Sequence, residues 1–211
     1  MMKKNFLVTG GAGFIGTNLC ELLLSKGHNV ISIDNYSSGN KSNHLEGVTY
    51  IKDNTRNIFQ TIKDNKISNL DCVFHLGEYS RISTSFKNYQ EVFDSNITGT
   101  SKIIDFCLSK NIKLVYAASS TKFAEEGVDH SPYSYTKSQN INLIKASAKW
   151  FDLKYAICYF YNNYGPRQDT CSSGYETVVS IFEKQKMAGE KLTIVRPGTQ
   201  ERNYTHVSDT I

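Results

Sequence analysis

Phe6-Leu7-Val8-Thr9-Gly10-Gly11-Ala12-Gly13-Phe14-Ile15-Gly16 is the stretch whose reading decides the fold. Phe6 to Val8 is an apolar run of buried-strand length, the glycines break it, and Ile15, Leu19, Leu22 and Leu23 then fall on one helical face. A strand, a glycine turn and a helix N-terminus in succession leave unpaired backbone N–H groups and a positive dipole end pointing out of the turn. Without a Cβ at Gly10, Gly13 and Gly16, a pyrophosphate can come close to those groups. The stretch reads as a dinucleotide cradle, with Gly10, Gly13, Phe14, Ile15 and Gly16 as its contacts.

A second apolar run, residues 30–33, ends at Asp34-Asn35, about 20 residues beyond the glycines, where an acid meets a ribose 2′-hydroxyl. A carboxylate there repels a 2′-phosphate, so the expected cofactor is NAD rather than NADP.

At 211 residues the chain can bury a proper core, and its apolar and charged fractions, 39% and 21%, are those of an ordinary globular protein. The net charge of +4 is scattered over predicted helices and loops, which reads as solvated surface rather than a nucleic-acid interface. A mild basic bias also suits an anionic, phosphate-bearing substrate. Five cysteines, an odd number with no Cys-x-x-Cys pair, read as reduced packing residues. No apolar segment is long enough to span a bilayer and the start carries no signal-peptide core, so a cytoplasmic location without membrane partners is expected.

Strand and helix alternate onward from Asp34. Strands are expected at 48–51, 71–76, 114–118, 155–159 and 192–195, with helices around Ile58 and Ile62, from 89 to 109, from 131 to 145 and from 175 to 187. Such alternation gives parallel strands with right-handed crossovers, hence an α/β, doubly wound parallel sheet. Ligands of such sheets sit beyond the C-terminal strand ends, so the loops after Leu7, Ile33, Ile51, Leu76 and Ala118 should meet at one crevice. Asp53-Asn54 then reads either as an adenine contact or as a loop and cap pair, and Leu76-Gly77 as backbone running beside the cofactor. Tyr133 and Lys137, four apart after Pro132, stack on one helical face, where an ammonium near a phenol favours the phenolate of a general base.

Eight motifs in this order resemble the extended short-chain dehydrogenase/reductase family, within it the NAD-dependent nucleotide-sugar epimerases and dehydratases. They are Thr9 to Gly16, Asp34-Asn35, Phe74-His75-Leu76, Asn96 to Thr100, Ser119-Ser120-Thr121, Tyr133 to Lys137, Asn162 to Pro166 and Arg202 to Val207. The resemblance implies a Rossmann NAD-binding domain over residues 1–165 and a partial, smaller substrate lobe over 166–211, with about 200–211 returning to the first domain. It implies Tyr133 as acid/base, Lys137 on the nicotinamide ribose, and Ser119 on the reacting sugar hydroxyl, with Ser120 beside it. Asn162 and Arg202 would hold the substrate diphosphate. Asn96 would belong to the cofactor site as a support for its backbone, or else be an ordinary helix residue.

The implied reaction is epimerisation of a nucleotide-diphosphate sugar. Hydride passes to NAD as Tyr133 takes a proton, and its return to the opposite face of a transient keto sugar inverts the carbon. Dehydratases of the family carry an Asp-Glu pair where this chain has Ser120-Thr121, which favours epimerase over dehydratase. A dehydratase or keto-reductase, or a non-catalytic NAD-binding remnant or part of a split enzyme, is the alternative. The latter follows from length, since family members run about 100 residues further, the size of a small domain. A homodimer through the helices near 89–109 and 133–150 is the family's expectation. Glu78 and Arg81 depart from the small residues usual there and read either as substrate contacts or as a surface pair. His75, a lone histidine at a strand end, reads as structural, with no metal expected.

Overall fold

The computed structural model describes residues 2–123, 127, 129–168 and 177–211. Six strands form one all-parallel sheet in the order β3-β2-β1-β4-β5-β6: β1 (Asn5–Thr9), β2 (Asn29–Asp34), β3 (Val48–Lys52), β4 (Cys72–His75), β5 (Lys113–Ser119) and β6 (Tyr155–Phe160). Strand order reverses between β1 and β4, which puts a crevice at their C-terminal ends.

Both sheet faces are covered, as successive side chains of β1 show. Leu7 joins a core with Ile58, Ile103, Phe106, Ile141 and Ile144, drawn from α2 (Ile58–Asp64), α4 (Thr100–Lys110) and α5 (Pro132–Phe151). Phe6 and Val8 point the other way, to Leu19, Cys20 and Leu23 of α1 (Phe14–Ser25). Ile15 and Leu22, expected on the same helical face, are only half-buried, and Ile15 fronts the crevice instead.

The long helix expected over 89–109 is present with a change of pitch. α3 (Tyr89–Phe93) widens into a π-helical segment, Asp94–Gly99, before α4 resumes. Asn96 lies in that wide turn, fully buried, where its amide accepts from Tyr79 N and donates to Tyr79 O and Thr136 Oγ1. α5 begins at the expected Pro132, with the Ser131 hydroxyl accepting from Ser134 N as a cap. It outruns the expected end at 145, stopping at Phe151 with Asp152 in the left-handed conformation.

The C-terminal part is sparer. β7 (Asn163–Tyr164) pairs in parallel with β8 (Thr205–His206), and α6 (Val178–Met187) starts at a capping box built by Thr177 and Ser180. The expected helix start at Tyr175 lies outside the described residues. No strand forms at 192–195: Leu192, Ile194 and Val195 are exposed, and a strand without a paired neighbour has no ladder to stabilise it. Val207 is buried and Ile211 packs against the cluster containing Leu19 and Leu23.

Cys20, Cys72 and Cys107 are buried, and burial pushes their thiols up, to about 12, 11 and 12. Cys158 departs from the packing role because it faces outward from edge strand β6. Cys171 lies outside the described residues.

Candidate functional site

The strand ends open onto a cleft of about 1110 Å³. It is lined by Gly10, Gly13, Phe14, Ile15, Gly16, Asp34, Asn35, Leu76 and Gly77 at one end and by Ser119, Ser120, Tyr133, Lys137 and Asn162 towards the other. Asp53 and Asn54 line a hollow of about 30 Å³ beside it, shared with Gly10, Asp34, Asn35 and Gly77. Two expected residues line neither space. Asn96 is fully enclosed and bonds protein groups only, so it supports the Tyr79 backbone rather than touching a cofactor. Arg202 is exposed and donates to Glu201 O at 2.8 Å, in a stretch anchored by the two-residue β7–β8 pairing, by Asn162 Nδ2 donating to Asn203 O at 2.8 Å and by Tyr204 against Tyr164.

The glycine turn is shaped by close backbone approach. Gly10 has φ +72°, and a Cβ there would stand 2.8 Å from Gly77 Cα; a Cβ on Gly16 would stand 2.1 Å from Gly10 O. No side chain caps α1, so its first N–H groups are left to a ligand. Asp34, mostly buried, accepts from Ala12 N at 2.9 Å and Tyr36 N at 2.8 Å. Burial pushes its carboxyl up, against the pull of these two bonds, and a carboxylate with four acceptor sites keeps capacity for a ribose hydroxyl. The loop over residues 35–47 folds back on the turn through Asn40 N and Asn43 Nδ2, both donating to Ala12 O. These residues fit NAD: the turn and helix end would take the pyrophosphate and Asp34 the ribose.

Asp53 has the loop role and also fronts the small hollow. Its carboxylate accepts from Asn54 N, Asn57 Nδ2 and Thr61 Oγ1.

Gly16→Ala is expected to weaken NAD binding by at least about tenfold in calorimetry, roughly 1.4 kcal/mol, because the turn must move to admit the methyl. Unchanged affinity would remove the turn from the cofactor site.

At the other end, Ser119 is buried at the tip of β5, and its oxygen accepts from Thr121 N at 3.2 Å and Thr121 Oγ1 at 3.0 Å. With both acceptor positions used, its O–H is left to donate into the cleft. Tyr133 and Lys137, one turn apart on α5, are both buried at the cleft floor.

The partner of Lys137 overturns the reading of Glu78. Glu78 is neither at the surface nor paired with Arg81. Its side chain is 1% exposed, and Oε2 forms a short ion pair with Lys137 Nζ, which also donates to Ala117 O at 2.6 Å. Glu78 Oε1 accepts from Thr100 Oγ1 at 2.6 Å, Asn140 Nδ2 at 2.8 Å and Tyr116 OH at 3.2 Å.

The donor directions follow from bonding capacity. Thr9 Oγ1 accepts from Leu76 N and Gly77 N, so its own proton goes to His75 Nδ1, 2.7 Å away. His75 Nε2–H then donates to Thr100 Oγ1 at 2.9 Å, and Thr100 to Glu78. Burial pushes His75 down to about 4, so it is neutral at neutral pH, as this assignment needs and as its structural reading requires. The run ends at Glu78 because a carboxylate can only accept. Burial would push that carboxyl up, but the Lys137 charge and its hydrogen bonds prevail and hold it below its ordinary range. Buried Tyr116 is pushed well above the usual phenol range, by burial first and Glu78 second, and stays a donor. A polar chain thus links the glycine turn to Lys137 through the sheet.

Three residues at the site were missed from sequence: Glu78 as partner of Lys137, Thr121 as the group that orients Ser119, and Arg167. Arg167 lines the cleft, donates to both carboxylate oxygens of Glu21 at 2.8 and 2.7 Å, and reaches Asn18 Oδ1 at 3.1 Å. For Glu78 a signal exists: a lysine on a helix face with Ile141 and Ile144 must bury its charge beside an anion. Among the described residues no group of three His, Cys, Asp or Glu could hold a metal.

Known proteins are similar to this chain in sequence and in fold. A putative UDP-glucose 4-epimerase of Methanocaldococcus jannaschii is 30% identical over 96% of this chain and 70% of its own length. A UDP-N-acetyl-alpha-D-glucosaminuronate decarboxylase of Bacillus cytotoxicus is 30% identical over all of this chain and 70% of its own length. Among solved structures, the UDP-glucose 4-epimerase of Thermotoga maritima with UDP-glucose superposes with a TM-score of 0.90 at 27% identity, over 97% of this chain and 70% of that one. The family model that matches, over residues 6–211, spans the glycine turn, Asp34 and the Ser119, Tyr133 and Lys137 set alike, and the chain belongs to the NAD dependent epimerase/dehydratase family.

Proposed function

We propose that this chain is an NAD-dependent epimerase of a nucleotide-diphosphate sugar, with Ser119, Tyr133 and Lys137 as its catalytic set. The observation that carries the reading is that all three line one cleft with the glycine turn and Asp34. Bound NAD supplies the acceptor and donor of the hydride. The chain's part is to hold the sugar and move one proton. Ser119, fixed as a donor by Thr121, hydrogen-bonds the reacting sugar oxygen; the Tyr133 oxygen takes the sugar's proton as phenolate and returns it as phenol; Lys137 anchors the ribose. Asn162 and the cleft-lining Arg167 stand where a diphosphate would pass, and take the role expected of Arg202.

Ser120 and Thr121 bring no carboxylate to the cleft floor, which supports epimerisation over elimination. The similarity to a decarboxylase motivates a second reading, in which the same oxidation is followed by carbon dioxide loss from a uronic acid.

Incubation with NAD and UDP-glucose, UDP-N-acetylglucosamine or UDP-glucuronate, followed by NMR of the sugars, tests the reading. An epimer is the expected product; a stable keto sugar assigns a dehydratase, released carbon dioxide a decarboxylase, and no conversion with NAD bound the non-catalytic alternative. The same reading takes the protein to act in the cytoplasm as a homodimer. No helix among the described residues is long and apolar enough to cross a membrane, and Tyr89, Trp150 and Phe151 on α3 and α5 are exposed apolar side chains suited to a helical interface.

A further inference from the structure

We propose that Glu78 is a positioning residue for proton transfer at Tyr133: its buried carboxylate holds the Lys137 ammonium against the Ala117 carbonyl and offsets its charge. The inference rests on the proposed role of Tyr133, and it concerns what sets that role's direction.

Two of the three Lys137 donors are committed, to Glu78 Oε2 and to Ala117 O, which leaves one for a ligand in the cleft. Lys137 and Glu78 are almost fully shielded from water, so each charge acts on its surroundings with little screening, and together they act as a neutral dipole. An ammonium alone would bias Tyr133 towards phenolate throughout the reaction. The neutral pair leaves Tyr133 able to give a proton as phenol as readily as it takes one as phenolate, which epimerisation requires across its two halves.

The groups facing Glu78 are Lys137 and Asn140 from α5, Tyr116 from β5, Thr100 from α4 and neutral His75 from β4. The other charged groups on the cleft, Asp34, Arg81 and Arg167, and Lys122 bonded to Ser138, stay constant across the variants that test the proposal.

The experiment is a tyrosinate absorbance titration of the intact chain, which requires no turnover, with Tyr133→Phe identifying the share of the signal that belongs to Tyr133. In Glu78→Gln that share is expected to appear about one pH unit lower than in the wild type, the shift of an uncompensated charge one helical turn away on the same cleft. In Glu78→Gln/Lys137→Met, where a neutral pair replaces a neutral pair, it is expected at the wild-type pH. The double variant decides the matter even where Glu78→Gln does not fold. Appearance about one unit above the wild type would mean that Lys137 acts uncompensated and would overturn the proposal, as would an unshifted signal in folded Glu78→Gln. Loss of the epimerase reading would leave these titrations intact, so the two failures are distinguishable.

Discussion

Glu78→Ala is expected to lower the stability of the folded chain by about 3–5 kcal/mol, the cost of leaving a buried charge without its partner. For a chain of this size each kcal/mol moves Tm by about 2–4 °C, so a fall of roughly 6–20 °C is expected in calorimetry. The effect is large because four donors converge on that carboxylate: Lys137, Thr100, Asn140 and Tyr116. Alanine leaves an ammonium, a hydroxyl, an amide and a phenol to find other acceptors at a site largely shielded from water. The pH dependence has a definite sign. The Glu78 carboxyl is held below its usual 4.5 in the folded chain, so its contribution is complete above that value and is lost as pH falls through the lower, folded-state value. The gap between wild type and Glu78→Ala should therefore shrink in acid. A Tm within 2 °C or so of the wild type at neutral pH would show that Lys137 does not depend on this partner.

Tyr133→Phe is expected to reduce turnover by about 10²–10⁴-fold, the contribution of a positioned acid/base, with little change in NAD affinity. The split is informative because the two ends of the cleft are built from different parts of the chain. The glycine turn and Asp34 proposed to hold NAD lie on β1, α1 and β2, whereas Tyr133 sits on α5 beyond β5, where Lys137 is the proposed cofactor contact. Phenylalanine keeps the ring and removes only the hydroxyl, so packing of this 9%-exposed side chain changes little. Parallel assay of turnover and calorimetric NAD binding checks the prediction. Equal loss of both would make Tyr133 a binding or structural residue, and full activity would pass the proton transfer to another group.

The fold was legible wherever local pattern and long-range order agree. The apolar runs at β1, β2, β4 and β5 are buried on both faces and read as continuous hydrophobic stretches, and the glycine turn announces its own geometry. Residues 192–195 show the limit: a run of the right residues makes a strand only with a neighbour, and no local pattern reports one. The π-helical turn at Asp94–Gly99 was hidden for a similar reason, since what accompanies it is Asn96 reaching Tyr79 and Thr136, 17 and 40 residues away.

The site divides in the same way. Gly10, Asp34, Tyr133 and Lys137 sit at strand ends or on one helix face, positions that spacing can assign; Ser119 comes from the family resemblance; all five line one cleft. Glu78, in a loop three residues before Arg81, reads either as a substrate contact or as half of a surface pair, and neither reading names Lys137 as its partner. Only the fold brings β4, α4, β5 and α5 around it, 59 residues from Lys137 along the chain. Arg202 failed in the opposite sense. The residue stands where the resemblance expects it in the sequence, but the segment that carries it, held by a two-residue strand pair and by Asn162 donating to Asn203 O, leaves the side chain in solvent.

The measurement that bears most directly on the central claim is turnover of a UDP-sugar deuterated at the carbon that inverts, with NAD present. Retention of deuterium on that same carbon in the epimer is the predicted result, because the cofactor returns the hydride it removed while Tyr133 exchanges only the hydroxyl proton. Inversion accompanied by loss of the label to solvent would place the chemistry at a carbon acid instead and would contradict the account.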